Sequence, residues 1–245
     1  MTGIYQPKGR AREYADWALN HYVGCDHGCI YDYNRILCKD FLTIECRPRP
    51  GLTIEFLEGQ LKKSKFPDGE YVLLSFQGDP YCHAEEKYLW TRRILELFLE
   101  YQVPTAILTK GGARCLRDLD LFKKFENIKV GATLTFFHKE DSKKYEPGAS
   151  LPFERLDTLA TLHHEGIRTW ASFEPVIDPD QTLELMTLAD NCADEYKIGK
   201  INHEKELESR VDWAYFGGNA ENICIALGKK YYIKADLRKA MEARS

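Results

Sequence analysis

The chain has 245 residues, 44% of them hydrophobic, with a net charge of -4 and a pI near 6.0. That length supports one domain with a sizeable core, and the mild acidity gives no general bias toward nucleic acid. No N-terminal apolar run reads as a signal peptide and no stretch is long enough to cross a membrane. The eight cysteines lack a compact even spacing, which fits a reducing, cytoplasmic setting rather than a disulfide framework.

In chain order, the first chemical feature is Cys25-Asp26-His27-Gly28-Cys29-Ile30-Tyr31-Asp32. Thiolates on a loop relaxed by glycines, here Gly24 and Gly28, can wrap a soft metal centre. On spacing alone the plainer reading, two free core thiols, is preferred. After residue 70, apolar and amphipathic runs alternate. Tyr71–Phe76 reads as a buried strand, and Glu85–Tyr101 as a helix with Leu89, Ile94, Leu97 and Phe98 on one face. Pro104–Thr109 is a second strand, closed by Gly111-Gly112, and Arg114–Phe125 a helix. Ile128–Phe136 is a strand, Pro152–Glu165 a helix, Ile167–Phe173 a strand, Pro179–Cys192 a helix and Glu195–Ile198 a short strand. This alternation predicts a parallel sheet with helical crossovers, either a barrel or partial barrel or a flat doubly wound sheet. No linker divides the chain, so one domain is expected over 1–245, with a core at about 18–200 and an appended segment at 201–245.

The surroundings of the loop change its weight. Asn20 to Tyr33 resembles the N-P-Y-x-G-C-x-H-G-C-x-Y-C-Y stretch of radical S-adenosylmethionine proteins related to spore photoproduct lyase, with Asp32 where the third cysteine stands. The resemblance continues at Leu74-Ser-Phe-Gln-Gly-Asp79-Pro-Tyr81, followed by Glu85. Further blocks are Ile107–Lys110, Arg117-Asp118, Glu146-Pro147, Arg155-Leu156, Gly166-Ile167 and Glu174-Pro175. It implies a partial (β/α)6 TIM-like barrel with a 4Fe–4S cluster and S-adenosylmethionine at the C-terminal ends of the strands. Cys25, Cys29 and Asp32 are the implied cluster ligands, and Tyr31 and Tyr33 flank the cofactor. Asp79 is the implied contact to the methionine amino group and Lys110 the partner of its carboxylate. Thr135 and Glu174 lie along the ribose and adenine side. Independently of the resemblance, a zwitterionic ligand needs one anion and one cation, and Asp79 with Lys110 supply that pair at strand ends.

Asp32 leaves three readings open. Its carboxylate ligates iron through a harder, more labile bond. Cys38 replaces it after a rearrangement of the loop. Or no cluster forms and the barrel is catalytically silent. The seven histidines form no metal spacing, and His27 reads as a shaper of the loop. Cys82 follows Asp79-Pro80-Tyr81 and is the one candidate hydrogen-atom donor, although a plain buried thiol is preferred; Cys115, Cys192 and Cys224 read as core fillers. Lys229–Lys234 with Arg238-Lys239 has the basic and aromatic interleaving of a nucleic-acid contact, set against an ordinary solvated face. Glu204–Arg210 reads as an exposed mixed-charge helix.

The expected function is a radical S-adenosylmethionine enzyme that generates a 5′-deoxyadenosyl radical, with a flavodoxin- or ferredoxin-like electron donor and nucleic acid as a candidate partner. The alternative is a silent barrel that binds nucleic acid or protein. A third reading gives Cys25, Cys29 and Asp32 to zinc or a single iron.

Overall fold

The computed structural model describes residues 3–34, 45–67 and 69–243. Seven strands form one parallel sheet in the order β1 (Trp17–Leu19), β4 (Val72–Leu74), β5 (Thr105–Thr109), β6 (Ile128–Thr133), β7 (Arg168–Phe173), β8 (Glu195–Ile198) and β9 (Lys230–Ile233). A two-stranded antiparallel ribbon, β2 (Tyr22–Val23) with β3 (Arg47–Pro48), follows β1. The five strands read from the sequence are all present. Two strands of the main sheet were missed, β1, only three residues long, and β9, which lies inside the segment read as an appendage, as were both strands of the ribbon. The expected α/β partial barrel is therefore the observed architecture, with one more parallel strand than six.

Strand alternation sorts side chains into two environments. On the outer face, Leu19, Val72, Leu74, Ile107 and Val130 pack with the helices Ile54–Leu61 and Trp90–Glu100. Farther along, Ala171, Phe173, Tyr196, Ile198 and Ile233 pack with the helices Pro152–His164, Pro179–Leu188, Trp213–Ala226 and Ala235–Glu242. The inner cluster is smaller and built on Leu73, Ala106 and Trp170. Gly131 makes room for the Trp170 indole, since a Cβ there would lie 2.6 Å from the ring. The Trp170 Nε1 donates to the Ile107 carbonyl at 3.0 Å.

Among the described residues β1 and β9 are the sheet edges, and the segment before β1 bridges them with side chains. Tyr232 Oη and Ala235 N donate to Glu13 at 3.0 and 2.7 Å, and Lys197 Nζ donates to the Glu13 and Tyr14 carbonyls at 2.6 and 2.8 Å. The expected helix over 85–101 is broken at Leu89, whose φ is +51°. The reason is Glu85: its buried carboxylate accepts Thr91 N at 2.8 Å and starts the second helix anew. The expected helix over 114–125 is mostly 3-10, Gly112–Asp118, with a short α turn at Leu119–Phe122. The basic run 229–234 is split: Lys230 and Tyr232 are exposed, while Lys229 and Lys234 are used internally. Lys229 pairs with Asp190 at 2.9 Å and Lys234 with Glu174 at 2.8 Å. Lys205–Ser209 is a helix with no buried residue, as read from the sequence. Among the described residues no helix is long and apolar enough to cross a membrane.

Candidate active site at the C-terminal edge of the sheet

The cysteine loop leaves the C-terminal end of β1 and lies across the strand ends. Gly24 and Gly28 adopt φ of +72° and +64°, a region closed to most side chains, and turn the backbone twice within five residues. The loop docks on the segment after the helix Lys139–Tyr145: Ile30 N donates to Tyr145 O at 2.9 Å, and Gly148 N to His27 O at 2.8 Å. Gly148 has to be glycine for this approach, because a Cβ would sit 2.4 Å from Asp26 O.

His27 is buried and shapes the loop. Arg114 Nη2 lies 2.8 Å from its Nε2, which must therefore accept, leaving Nδ1–H to face Asp79 Oδ2 at 3.5 Å. Burial pushes its pKa down to about 4, against the pull of Asp79, so the ring is neutral at pH 7. Asp79 is saturated: Oδ1 accepts Tyr81 N at 2.8 Å and Thr109 Oγ1 at 2.6 Å, and Oδ2 accepts Lys110 N at 2.7 Å. Burial alone would raise its pKa, but His27 and these donors outweigh it and hold the carboxyl below its ordinary value. The residue read as a methionine contact thus fixes the backbone of Lys110.

The Lys110 side chain extends over the Tyr31 ring, with Nζ 5.5 Å from the centroid. It makes no ion pair within 4.0 Å among the described residues. Burial would lower its pKa, yet it is raised, because Cys29 and Glu146 favour the charged form. Tyr31 donates to Glu146 and has its hydroxyl 3.4 Å from Thr135 Oγ1. Glu146 in turn binds Arg155 Nη2 at 2.5 Å, and Arg155 also donates to the Thr133 carbonyl at 2.9 Å. Glu146 and Arg155 are buried supports that sequence reasoning quoted as matching blocks but gave no role.

Burial pushes the Cys29 thiol up to about 12 and the Cys25 thiol well above its ordinary value, so metal binding displaces a proton from each. Asp32 Oδ1 accepts Asn34 N and Asn34 Nδ2, both at 2.9 Å, in a tight local turn. Cys25, Cys29 and Asp32 do not form a group whose ligand atoms all lie within 4.8 Å, as one small ion would require. The Cys38 alternative lies outside the described residues.

The other expected residues fall elsewhere. Tyr33 is exposed, its hydroxyl donating to Phe76 O at 2.8 Å. Glu174 follows β7 directly, where Lys234 Nζ donates to both its oxygens at 2.8 Å and Tyr14 donates to one. Asp79, Lys110 and Glu174 nevertheless share the C-terminal side of the parallel sheet, each lying just after β4, β5 or β7. Cys82 is fully buried in the outer core, with its Sγ 3.3 Å from Cys46 Sγ. Cys115, Cys192 and Cys224 are buried core thiols.

No protein-family model matches the chain. Uncharacterized protein MJ0683 of Methanocaldococcus jannaschii is 34% identical over 168 residues, covering 68% of this chain and 62% of its own length. Uncharacterized protein ORF301 of Acidianus two-tailed virus is 26% identical over 219 residues, covering 81% of this chain and 71% of its own length. Among solved structures, a spore photoproduct lyase variant with dinucleoside spore photoproduct superposes with a TM-score of 0.70 at 12% identity, over 93% of this chain and 78% of its own. Streptococcus suis SuiB bound to S-adenosylmethionine superposes with a TM-score of 0.67 at 13% identity, over 91% of this chain and 51% of its own. The chain thus spans about three fifths of the Methanocaldococcus protein and half of SuiB. Its parallel sheet and its superposition on SuiB and spore photoproduct lyase give the chain the partial-barrel fold of the radical S-adenosylmethionine type.

Proposed function

We propose that the chain is a radical S-adenosylmethionine enzyme whose cofactor binds over the C-terminal edge of the sheet. The observation that carries this reading is Lys110: a positively charged side chain at the strand ends, fixed through its backbone by Asp79, favoured in its charged form by Glu146 yet making no ion pair within 4.0 Å among the described residues. Such a group suits the methionine carboxylate. Asp79 is then a positioning residue, Tyr31 and Thr135 form the wall beside the cofactor, and Glu174 with Tyr14 and Lys234 forms the polar floor on its nucleoside side. Tyr33 stands at the rim.

The donor set fits a 4Fe–4S cluster at two thiolates, Cys25 and Cys29, with Asp32 Oδ2 as an oxygen third ligand, since Asn34 occupies only Oδ1. When bound, the cluster would supply the one-electron reduction that S-adenosylmethionine cleavage needs. The residues of the chain orient the cofactor and exclude water from the radical. A flavodoxin- or ferredoxin-like protein is the proposed electron source. SuiB has been crystallised with a precursor peptide and spore photoproduct lyase with a dinucleoside, so the shared barrel by itself selects neither substrate class. The internal use of Lys229 and Lys234 takes two lysines out of the basic run and leaves Lys230, Tyr232 and Lys239 exposed.

One observation favours the silent reading: the engagement of Asp32 in a local turn. Two measurements separate the readings. Calorimetry on cluster-free protein should show S-adenosylmethionine binding that weakens about tenfold or more in Lys110→Ala, the loss of one charge-assisted contact. Unchanged affinity removes the cofactor assignment. Anaerobic reconstitution should then give iron and sulfide in the protein, and a colourless, iron-free product supports the silent barrel.

A further inference from the structure

Cys46 and Cys82 were unconnected in the sequence, yet their Sγ atoms lie 3.3 Å apart, both buried. The carboxylate of Asp26 completes a group of three whose ligand atoms all lie within 4.8 Å of one another. Three separate segments meet here: the cysteine loop, the residue before β3, and the turn between Asp79 and the helix Ala84–Tyr88. Asp26 is held in place, its two oxygens accepting His83 N and Ala84 N at 2.9 Å each. The Gly24 carbonyl lies 3.7 Å from Cys46 Sγ.

We propose that Asp26, Cys46 and Cys82 form a binding site for a borderline-soft divalent cation of the zinc type, which staples the cysteine loop to the outer wall of the sheet. Two sulfurs and one oxygen are a donor set for such an ion, with the Gly24 carbonyl or a water as the fourth ligand. A tetrahedral ion with bonds of about 2.3 Å holds two sulfurs about 3.8 Å apart, so the pair must open by roughly half an ångström. The exposed side of Asp26 offers the way in. Binding is redox-neutral: two thiol protons leave to solvent, and the cation offsets two thiolates and a carboxylate. The site does not depend on the cluster and would serve an active enzyme or a silent barrel alike.

Cobalt(II) titration of the full chain, stripped of metal and kept reduced and iron-free, tests the site. The parent should take up one equivalent with sulfur-to-cobalt charge-transfer bands and strong tetrahedral visible absorption, reversed by one equivalent of zinc. Cys46→Ser and Cys82→Ser should lose those bands while keeping the far-ultraviolet circular dichroism of the parent. Asp26→Asn should bind at least about tenfold more weakly. A Cys25→Ser, Cys29→Ser double variant should keep the bands. Absence of thiolate bands in the reduced parent overturns the proposal whatever the variants do. So do bands that vanish in the double variant and persist in Cys46→Ser and Cys82→Ser. A parent that binds no cobalt but forms a Cys46–Cys82 disulfide in air also overturns it, and makes the pair a redox couple.

Discussion

At Asp32 a single side chain carries two opposed demands. Its Oδ1 accepts the backbone and side-chain N–H groups of Asn34 and so stabilises the turn that ends the cysteine loop. A thiolate there would give a cluster a soft third ligand but would form that turn poorly. Asp32→Cys should therefore raise the iron and sulfide held after anaerobic reconstitution and lengthen survival in air. It should also lower the stability of the metal-free chain by about 1 kcal/mol, the net value of a typical hydrogen bond. Equal iron and sulfide in parent and variant would show that the carboxylate is a competent ligand or that another residue supplies the third. The residues themselves were visible in the sequence, but their partners were not. Lys110 and Asp79 stood out as a complementary pair. Only the fold shows that both Asp79 oxygens are spent on Tyr81, Thr109 and Lys110 backbone or side-chain donors.

Among the elements, the break between Ala84–Tyr88 and Trp90–Glu100 shows where periodicity runs out. The apolar spacing through 85–101 describes one continuous face, and nothing in that pattern reports a left-handed Leu89. The cause is a buried carboxylate. Glu85, 1% exposed, accepts Tyr22 Oη at 2.5 Å, Thr91 N at 2.8 Å and Arg117 Nη2 at 2.6 Å. It ties β2, the second helix and the 3-10 segment Gly112–Asp118 together beneath the cysteine loop. Removing Glu85 leaves the Tyr22 hydroxyl and the Thr91 N–H without their buried acceptor, while Arg117, 31% exposed, keeps Asp118, so Glu85→Ala should destabilise the fold by about 2–6 kcal/mol in urea unfolding, about 1–3 for each donor left unsatisfied. Glu85→Gln keeps the shape and part of the bonding and should lose less, about 1–3 kcal/mol. A Glu85→Ala protein as stable as the parent would mean that the helix break is set by something other than this carboxylate.

For the whole molecule, the central strands were read correctly because burial on both faces leaves apolar runs such as Val72–Leu74 and Thr105–Thr109. β9 was hidden because Lys230-Tyr231-Tyr232-Ile233 alternates between an exposed side, Lys230 and Tyr232, and the outer core, Tyr231 and Ile233, so half of it is a surface patch. Its place at the sheet edge bears on the expectation that residues 1–245 form one domain. Removing 201–245 would expose the β8 edge, leave Glu174 without Lys234, and strip Phe216, Ile233 and Leu237 from the outer core, where they are at most 5% exposed. Burial of each large apolar side chain is worth about 1.5–3 kcal/mol, so these three alone approach the 5–15 kcal/mol that holds an ordinary domain together. A chain ending at residue 200 should therefore be insoluble or lack a cooperative thermal transition, and an open parallel edge adds a route to aggregation. Tyr232→Ala offers a gentler version, since it removes the hydrogen bond to Glu13 and the ring beside Lys197 Nζ, and leaves the strand in place. It should lower the melting temperature by a few degrees at most, in line with about 1 kcal/mol for one partly exposed hydrogen bond. A soluble 1–200 fragment that melts cooperatively at the temperature of the full chain would show instead that the six-stranded barrel stands alone and that β9 is an accessory.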